Sequence, residues 1–322
     1  MKKNLFIIGG AGYIGSHMVK YASLANYNVI TIDNLSTGHR DAIKYGEFEF
    51  CDIRDEKRLD FLFKKYQPSA VMHFGAYSIV GESVEDPCKY YENNVSGTLI
   101  LLKVMLENSC QNIIFSSTAA VFGNPEYIPI DEKHKKNPIN PYGRSKLMVE
   151  QILEDFSQAY GLNYLIFRYF NAAGHDKDGL LLERHNPETH LFPLIMQAVR
   201  DNKKHITIFG TDYDTNDGTC IRDYVHVEDL CHAHLKGLSV FFNPVEGKIT
   251  DDFNLGNGTG FSVQEVILKF KELTQSDFKV VEGKRRNGDP KILIASNKKA
   301  DAKLGFDPVN SKIEKIIKSL IQ

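Results

Sequence analysis

The sequence predicts an α/β protein: a Rossmann-type, doubly wound parallel sheet with a smaller mixed α/β lobe towards the C-terminus. Three observations predict it. An apolar run at residues 5–8 enters a turn carrying Gly9, Gly12 and Gly15. Strand-length apolar runs then alternate with stretches of helical period, the pattern of successive βαβ units. After about residue 175 that alternation gives way to short pieces and loops. The expected division is 1–175 for a nucleotide-binding Rossmann domain and 176–322 for a lobe serving mainly the substrate, with some segments returning to the main sheet.

Each glycine of the first turn has a physical task. Together they allow a tight turn, close approach of the backbone to a pyrophosphate, and close helix–strand packing. The helix that follows aims its N–H groups and positive end at the phosphates. A second strand at 28–32 ends at Asp33, where an acid can bind a ribose 2′-hydroxyl. A carboxylate there repels a 2′-phosphate, so NAD is expected rather than NADP. Further strands are expected at 47–50, 70–74, 112–115 and 164–167, with helices at 58–66, 87–108 and 144–160. Ligands bind at the carboxyl ends of the strands in such sheets. Asp52 and Ile53, Phe74, Ser116 and Thr118, and Phe170 and Asn171 should therefore share one crevice.

Tyr142 and Lys146 stand four residues apart, one turn of a helix. Asn140 suits the cap of that helix, Pro141 its first position and Gly161 its stop. A free phenol titrates near 10, and a neighbouring cation lowers it towards use as a base. Tyr142 could then take a proton from a substrate hydroxyl. Spacing alone does not establish this, because a Tyr and a Lys often fall four apart by chance.

The chain has 322 residues, 42% hydrophobic and 25% charged, with net charge -2. This suits a globular protein with an ample core and gives no reason to expect nucleic acid or a membrane surface as partner. The Lys133-His134-Lys135-Lys136 run reads as a solvated loop. Five scattered cysteines form no C-x-x-C pair, so neither zinc nor redox chemistry is expected. With no secretory pattern at the N-terminus, they suit the cytoplasm. The histidines other than His190, His17, His73 and His226 among them, show no metal-ligand grouping, and no metal is expected.

Taken together, Gly9-x-x-Gly12-x-x-Gly15, Tyr142-x-x-x-Lys146 and Ser116-Ser117-Thr118 resemble the extended short-chain dehydrogenase/reductase family. Asp33-Asn34-Leu35-Ser36-Thr37-Gly38, Val80-Gly81-Glu82-Ser83, Asn93-Asn94-Val95 and Tyr169-Phe170-Asn171-Ala172-Ala173-Gly174 narrow this to its UDP-glucose 4-epimerases. So do the stretch from Asp217 to Val227 and Arg285-Arg286-Asn287-Gly288-Asp289. The resemblance implies reversible inversion at sugar C4 of UDP-glucose and UDP-galactose. Hydride would pass transiently to tightly bound NAD+ through a 4-keto intermediate. Tyr142 would take the 4-hydroxyl proton, Thr118 would relay it, and Lys146 would hold the nicotinamide ribose and lower the Tyr142 pKa. Cofactor contacts are implied for Gly9, Gly12, Tyr13, Ile14, Gly15, Asp33, Asn34, Asp52, Ile53, Phe74, Asn93, Ser116, Tyr142, Lys146 and Phe170. Two positions depart from relatives: Ser78 stands where some carry a pyrophosphate-binding Lys, and Thr118 where others carry Ser.

In the C-terminal lobe a helix is expected at 193–200, a strand at 206–209, and a strand at 225–227 running into a helix from Glu228. A strand at 253–255, a helix at 263–273 opened by a capping box from Ser262, and a last helix at 311–320 complete it. Two phosphate charges call for cations, and guanidinium recognises phosphate bidentately. The resemblance implies Arg222 and Arg286 there, with Asp289 on a ribose hydroxyl, Asn171 on phosphate or sugar, and Leu191 and Phe209 flanking uracil. His190 stands where some relatives have Asn, and Leu293 would border the sugar 2-position. A homodimer through helices 87–108 and 144–160 is also implied. Dehydration, which needs an extra acid and base, is not expected, because Ala119-Ala120 follow Thr118 where the resembling dehydratases carry an Asp-Glu pair. UDP-N-acetylglucosamine or UDP-uronate epimerisation, a sugar-nucleotide decarboxylase, and a non-catalytic NAD-sensing module stay open.

Overall fold

A computed structural model of the chain describes residues 2–201, 205–243, 247–286 and 289–321. Asn287 and Gly288, part of one motif above, lie outside the described residues.

The first half builds βαβ units in sequence order. They are β1 (Asn4–Ile8), α1 (Tyr13–Leu24), β2 (Asn28–Asp33), β3 (Glu47–Phe50), α2 (Glu56–Tyr66) and β4 (Ala70–His73). Then follow α3 (Val80–Glu85), α4 (Pro87–Tyr90), a π-helical stretch (Tyr91–Gly97), α5 (Thr98–Glu107), β5 (Asn112–Thr118), α6 (Pro141–Tyr160) and β6 (Asn163–Tyr169). The helix expected over 87–108 is thus interrupted. The wider π turns include Asn93 and Asn94, which both end up buried; such bulges often mark functional sites. The short helix α3 adds to the expected elements; its Gly81 lowers helical propensity and masks it in sequence.

The second half interleaves two bodies. Its elements are β7 (Asn171–Ala173), α7 (Leu191–Arg200), β8 (His205–Phe209), β9 (Ile221–His226), α8 (Val227–Phe242), β10 (Thr250–Leu255), β11 (Gly260–Ser262) and α9 (Val263–Thr274). β12 (Lys279–Gly283), β13 (Ile292–Leu293), α10 (Lys298–Leu304) and α11 (Ile313–Ile321) complete it. The capping box at Ser262 and Glu265 is formed as expected. The strands of two or three residues carry no sequence signal, being too short to show an alternation.

Seven strands form one parallel sheet in the order β10-β6-β5-β4-β1-β2-β3. The order reverses between β1 and β4, the switch point at which open α/β sheets bind ligands. Successive residues of β1 face opposite sides. Leu5 and Ile7 pack with α1 and α8 through Met18, Leu230 and Leu238. Phe6 and Ile8 pack with α2, α5 and α6 through Leu59, Leu102, Met105 and Leu153. Both α8 and β10 lie past residue 175, yet they complete this sheet and its cover. The smaller lobe has its own core, where α7, α9 and α11 meet β8 through Ile195, Phe270, Ile317 and Ile208. Among the described residues no helix is long and apolar enough to cross a membrane.

Candidate active site

Helix α6 begins where the Asn140 side chain accepts from the Gly143 N–H at 2.8 Å, and Gly161 ends it with φ 76°. It carries Tyr142, Lys146 and Glu150 in successive turns of one face. Lys146 is buried; its Nζ donates to the Ser116 carbonyl at 2.7 Å and sits 4.8 Å from the centre of the Phe115 ring. Burial pushes this ammonium down to about 7, while the Glu150 charge pulls it up.

Tyr142 is half-buried and meets the Tyr90 ring edge-on at 6.4 Å. Burial raises its phenol, and a hydrogen bond with Thr118 lowers it. Lys146 reaches the β5 backbone, and Thr118 stands at the end of the same strand. Thr118 ends β5 and accepts the Ala120 N–H at 3.1 Å.

Behind this face lies a buried network with little trace in the sequence. Glu150 accepts from Ser117 Oγ at 2.6 Å and from Arg168 Nε and Nη2, both at 2.9 Å. Arg168 is fully buried and also meets Asp252 at 2.6 Å. The three charges come from α6, β6 and β10; the only hint in sequence is the four-residue step from Lys146 to Glu150. Beside it, Tyr169 shares a 2.6 Å hydrogen bond with His234 Nε2. Burial pushes His234 down to about 4, so it is neutral and its Nδ1–H donates to Leu230 O at 2.8 Å.

The glycine turn fits a dinucleotide. A Cβ on Gly9, at φ 76°, would lie 2.5 Å from the Gly75 nitrogen, and one on Gly15 would lie 2.2 Å from the Gly9 carbonyl oxygen. The turn is therefore pressed into the switch point, and side chains are excluded there. Gly12 caps α1 without a side-chain bond, and no acidic residue follows in its first turn. Tyr13, Ile14 and Gly15 thus open a helix whose N–H groups suit an anion. Asp33 is buried and holds the turn, accepting from Ala11 N at 2.9 Å and Leu35 N at 2.7 Å. A carboxylate retains further lone pairs for a ribose. Asn34 donates to Asp52 at 2.8 Å, and the Arg54 fork holds the Asp52 carboxyl far below its ordinary range. Ile53 is buried, Asn93 donates to Asn94 at 3.0 Å, and the Phe74 ring lies 5.0 Å from His234. Ser78 is exposed in the loop after β4.

The substrate residues divide into two groups. Leu293 is the register partner of Arg222 across β13 and β9, and it packs on the cluster of Ala119, Phe122 and Phe170. Arg222 is buried and ion-paired with Asp289. Asn171 opens β7, exposed, opposite Tyr224. The second group stands on the separate pair of strands β8 and β12, where the Arg286 guanidinium lies 4.1 Å over the Phe209 ring. Leu191 begins α7, and His190 precedes it.

His185 stands with His190 in a grouping that the sequence reading does not anticipate. Glu183, His185, Glu188 and His190 stand together in the segment between β7 and α7, a grouping with metal-ligand chemistry. Its signal in sequence is the spacing Glu-x-His-x-x-Glu-x-His. The same segment lies over the glycine turn. Tyr13 Oη donates to Gly174 O at 2.5 Å, and Lys20 meets Asp176 and Asp178, both at 2.5 Å. Arg184 forks onto Asp41 at 3.0 and 2.8 Å, and its carbonyl lies 2.8 Å from His39 Nε2.

Known proteins share this fold. The model of the NAD dependent epimerase/dehydratase family matches residues 5–256. A UDP-glucose 4-epimerase of Halalkalibacterium halodurans is 46% identical over 313 residues, covering 97% of this chain and 93% of that one. The structure of UDP-glucose 4-epimerase from Brucella ovis in complex with NAD superposes with TM-score 0.93 at 46% identity, covering 98% and 97% of the two chains. That from Bifidobacterium longum, in complex with NAD+ and UDP, superposes with TM-score 0.94 at 34% identity, covering 99% and 97%. Sequence pattern, sheet order, the Tyr142 site and these likenesses agree: the chain belongs to the NAD dependent epimerase/dehydratase family.

Proposed function

We propose that this protein is an NAD-dependent UDP-glucose 4-epimerase, an isomerase that interconverts UDP-glucose and UDP-galactose. The observation that carries the reading is the placement of Tyr142 and Lys146 on one face at the start of α6, with Lys146 bonded to Ser116 near the carboxyl end of β5, where Thr118 stands. NAD, when bound, supplies reversible oxidation at the sugar C4. The residues that would hold it are Gly9, Gly12, Tyr13, Ile14 and Gly15 at the pyrophosphate and Asp33, Asn34, Asp52 and Ile53 at the adenosine. Phe74, Asn93, Ser116, Lys146 and Phe170 would border the nicotinamide half.

The chain's own chemistry is proton transfer and positioning. Tyr142 takes the proton from the 4-hydroxyl and returns it on completion of the inversion. Thr118 stabilises the phenolate and passes the proton between phenol and sugar oxygen. Lys146, fixed by the Ser116 carbonyl, presents the remaining N–H bonds of its ammonium to ribose hydroxyls. Arg222 and Arg286 neutralise the diphosphate, Asp289 takes a uridine ribose hydroxyl, and Leu191 and Phe209 enclose the uracil. Asn171 and His190 contact the phosphate or sugar, and Leu293 limits room at the sugar 2-position.

The division near residue 175 serves as two lobes, the first completed by α8 and β10. Pairing with a second copy through α5 and α6 is supported by Leu99 and Met148, large apolar side chains exposed on those helices. Five free cysteines, four of them buried, suit a reducing cytoplasm.

The deciding experiment is a paired assay without added cofactor, offering UDP-galactose and UDP-N-acetylgalactosamine separately. Conversion of UDP-galactose alone is expected. Conversion of both would extend the substrate range past Leu293. Conversion of neither, even with NAD+ added, would overturn the reading in favour of uronate substrates or a non-catalytic NAD module.

A further inference from the structure

We propose that Glu183, His185, Glu188 and His190 bind a zinc ion that fastens the segment between β7 and α7 over the glycine turn. One ligand atom from each residue can be chosen so that all four lie within 4.8 Å of one another. His185 Nδ1 lies 3.3 Å from Glu183 Oε1 and 3.9 Å from Glu188 Oε2. His190 Nδ1 lies 3.2 Å from Glu183 Oε1 and 2.9 Å from Glu188 Oε1. Tetrahedral zinc, with bonds of about 2.0–2.2 Å to imidazole nitrogen and carboxylate oxygen, has ligand-to-ligand edges of about 3.4 Å. The edges from Glu183 Oε1 to the two imidazoles, 3.3 and 3.2 Å, lie close to that length, and Glu188 offers one oxygen on the side of each imidazole. Two carboxylates and two neutral imidazoles also balance a divalent charge, and this donor set suits zinc.

Burial points the same way. The Glu183 side chain is 2% exposed, and among the described residues its only ion-pair neighbours are the two imidazoles. No Lys or Arg is paired with Glu183 or Glu188 among the described residues. A buried carboxylate needs a compensating charge. His185 Nδ1 is buried without a hydrogen-bond partner, an orphaned donor atom facing that carboxylate. Glu188 is already oriented, since its Oε1 accepts the N–H groups of Thr189 and His190, each at 2.8 Å. Such outer support fixes a ligand for its metal.

The location gives the ion its task. The His185 ring lies 6.2 Å from the Tyr13 ring, and the intervening Arg184 is tied to Asp41 and His39. Zinc would turn a segment held by hydrogen bonds and ion pairs into a fixed cover on the start of α1. It touches none of the reacting atoms; its role is structural, and its expected effect is slower loss of the cofactor proposed above.

The test uses tag-free protein, stripped with a chelator, equilibrated with a small excess of Zn2+, desalted and analysed for metal by mass spectrometry. Stoichiometric zinc is expected in the wild type, and its loss in His185→Ala and Glu183→Gln. Their zinc affinity should fall by at least the roughly 10–100-fold that removal of an outer-shell partner costs. Co2+ in place of Zn2+ should give the intense visible bands of a four-coordinate ion in the wild type, a readout that needs no variant to fold. Wild-type protein that emerges without zinc, or a weak cobalt spectrum like that of the hydrated ion, overturns the proposal and leaves a proton-sharing His–Glu cluster. Neither measurement depends on epimerase activity, so failure here and failure of the functional reading are separate results.

Discussion

The ammonium of Lys146 and the carbonyl of Ser116 stand 2.7 Å apart, and this bond, with that from Ser117 Oγ to Glu150, holds α6 against the end of the strand that carries Thr118. Thr118 ends the same strand and lowers the Tyr142 phenol against its burial.

Tyr142→Phe should retain NAD, because the ring is kept and only the hydroxyl is lost. Epimerisation should fall by about 10²–10⁴-fold, the usual worth of a positioned acid–base group. Resident cofactor measured by absorbance, alongside turnover of UDP-galactose, checks both halves. Near-normal turnover would sink the role of the phenol.

Thr118→Val keeps the shape of the side chain and removes its hydroxyl. The bond to Thr118 lowers the Tyr142 pKa against burial. Its loss should therefore raise that pKa and move the rising limb of the pH–rate profile to higher pH. An unmoved limb, with only a scaled rate, would show that Thr118 acts on the substrate alone.

Asp33→Ala should weaken NAD retention for two reasons. It removes a ribose acceptor, and it frees the Ala11 and Leu35 N–H groups that now fix the glycine turn. Discrimination against NADP should relax as well. Competitive loading of the two cofactors measures this, and an unchanged preference would reduce Asp33 to a purely structural role.

Glu150→Gln leaves the fully buried Arg168 with Asp252 as its remaining carboxylate. Breaking one side of a buried charge network costs about 3 kcal/mol. Chemical denaturation should show that loss. The Lys146 pKa should drop further, because Glu150 is the charge that raises it.

Asp223 offers a pH signature outside the catalytic site. Burial pushes its carboxyl up to about 7, although it accepts the N–H groups of Asn257, Gly258 and Ala295. In the unfolded chain it loses its proton near 3.9. Between those values the native state holds more protons, so this group's contribution to stability is full below about pH 4 and is lost as pH rises to about 7. Asp223→Asn should abolish that slope. It should also cost about 1–3 kcal/mol, because its amide turns a donor towards backbone N–H groups. Melting temperature against pH, for both proteins, measures the two effects.

Much of this site is legible in the amino-acid sequence. The glycine turn, Asp33 and the α6 start at Asn140-Pro141 are local signals, each set by one backbone geometry, and the fold keeps each at its expected position. Expected strand starts up to β8 are accurate to about one residue, whereas β9 and β10 begin four and three residues before the expected 225 and 253, and β5 and β6 run on past their apolar stretches. There the residues are polar: Ser117 and Arg168 bond to the buried Glu150, and Ser116 and Thr118 stand at the candidate site. What stays hidden is assembled from distant segments: the Glu150–Arg168–Asp252 network and the Tyr169–His234 pair. The Glu183–His190 cluster is local, yet its spacing matches no regular element and so gives no periodic signal. Pairing of β13 with β9 is equally unreadable, since two residues carry no period.

The path of the chain after β7 limits how this architecture can be rearranged. It leaves the large sheet, returns to lay α8 across one face and β10 along one edge, and leaves again. Severing it at residue 175 would strip Leu165, Phe167 and Ile114 of their cover and open the β6 edge, giving a sticky fragment rather than a portable cofactor module. The smaller lobe is likewise no cassette that could be exchanged whole between relatives. New substrate preferences in such a chain have to arise by single replacements and loop changes, with both bodies adjusting together.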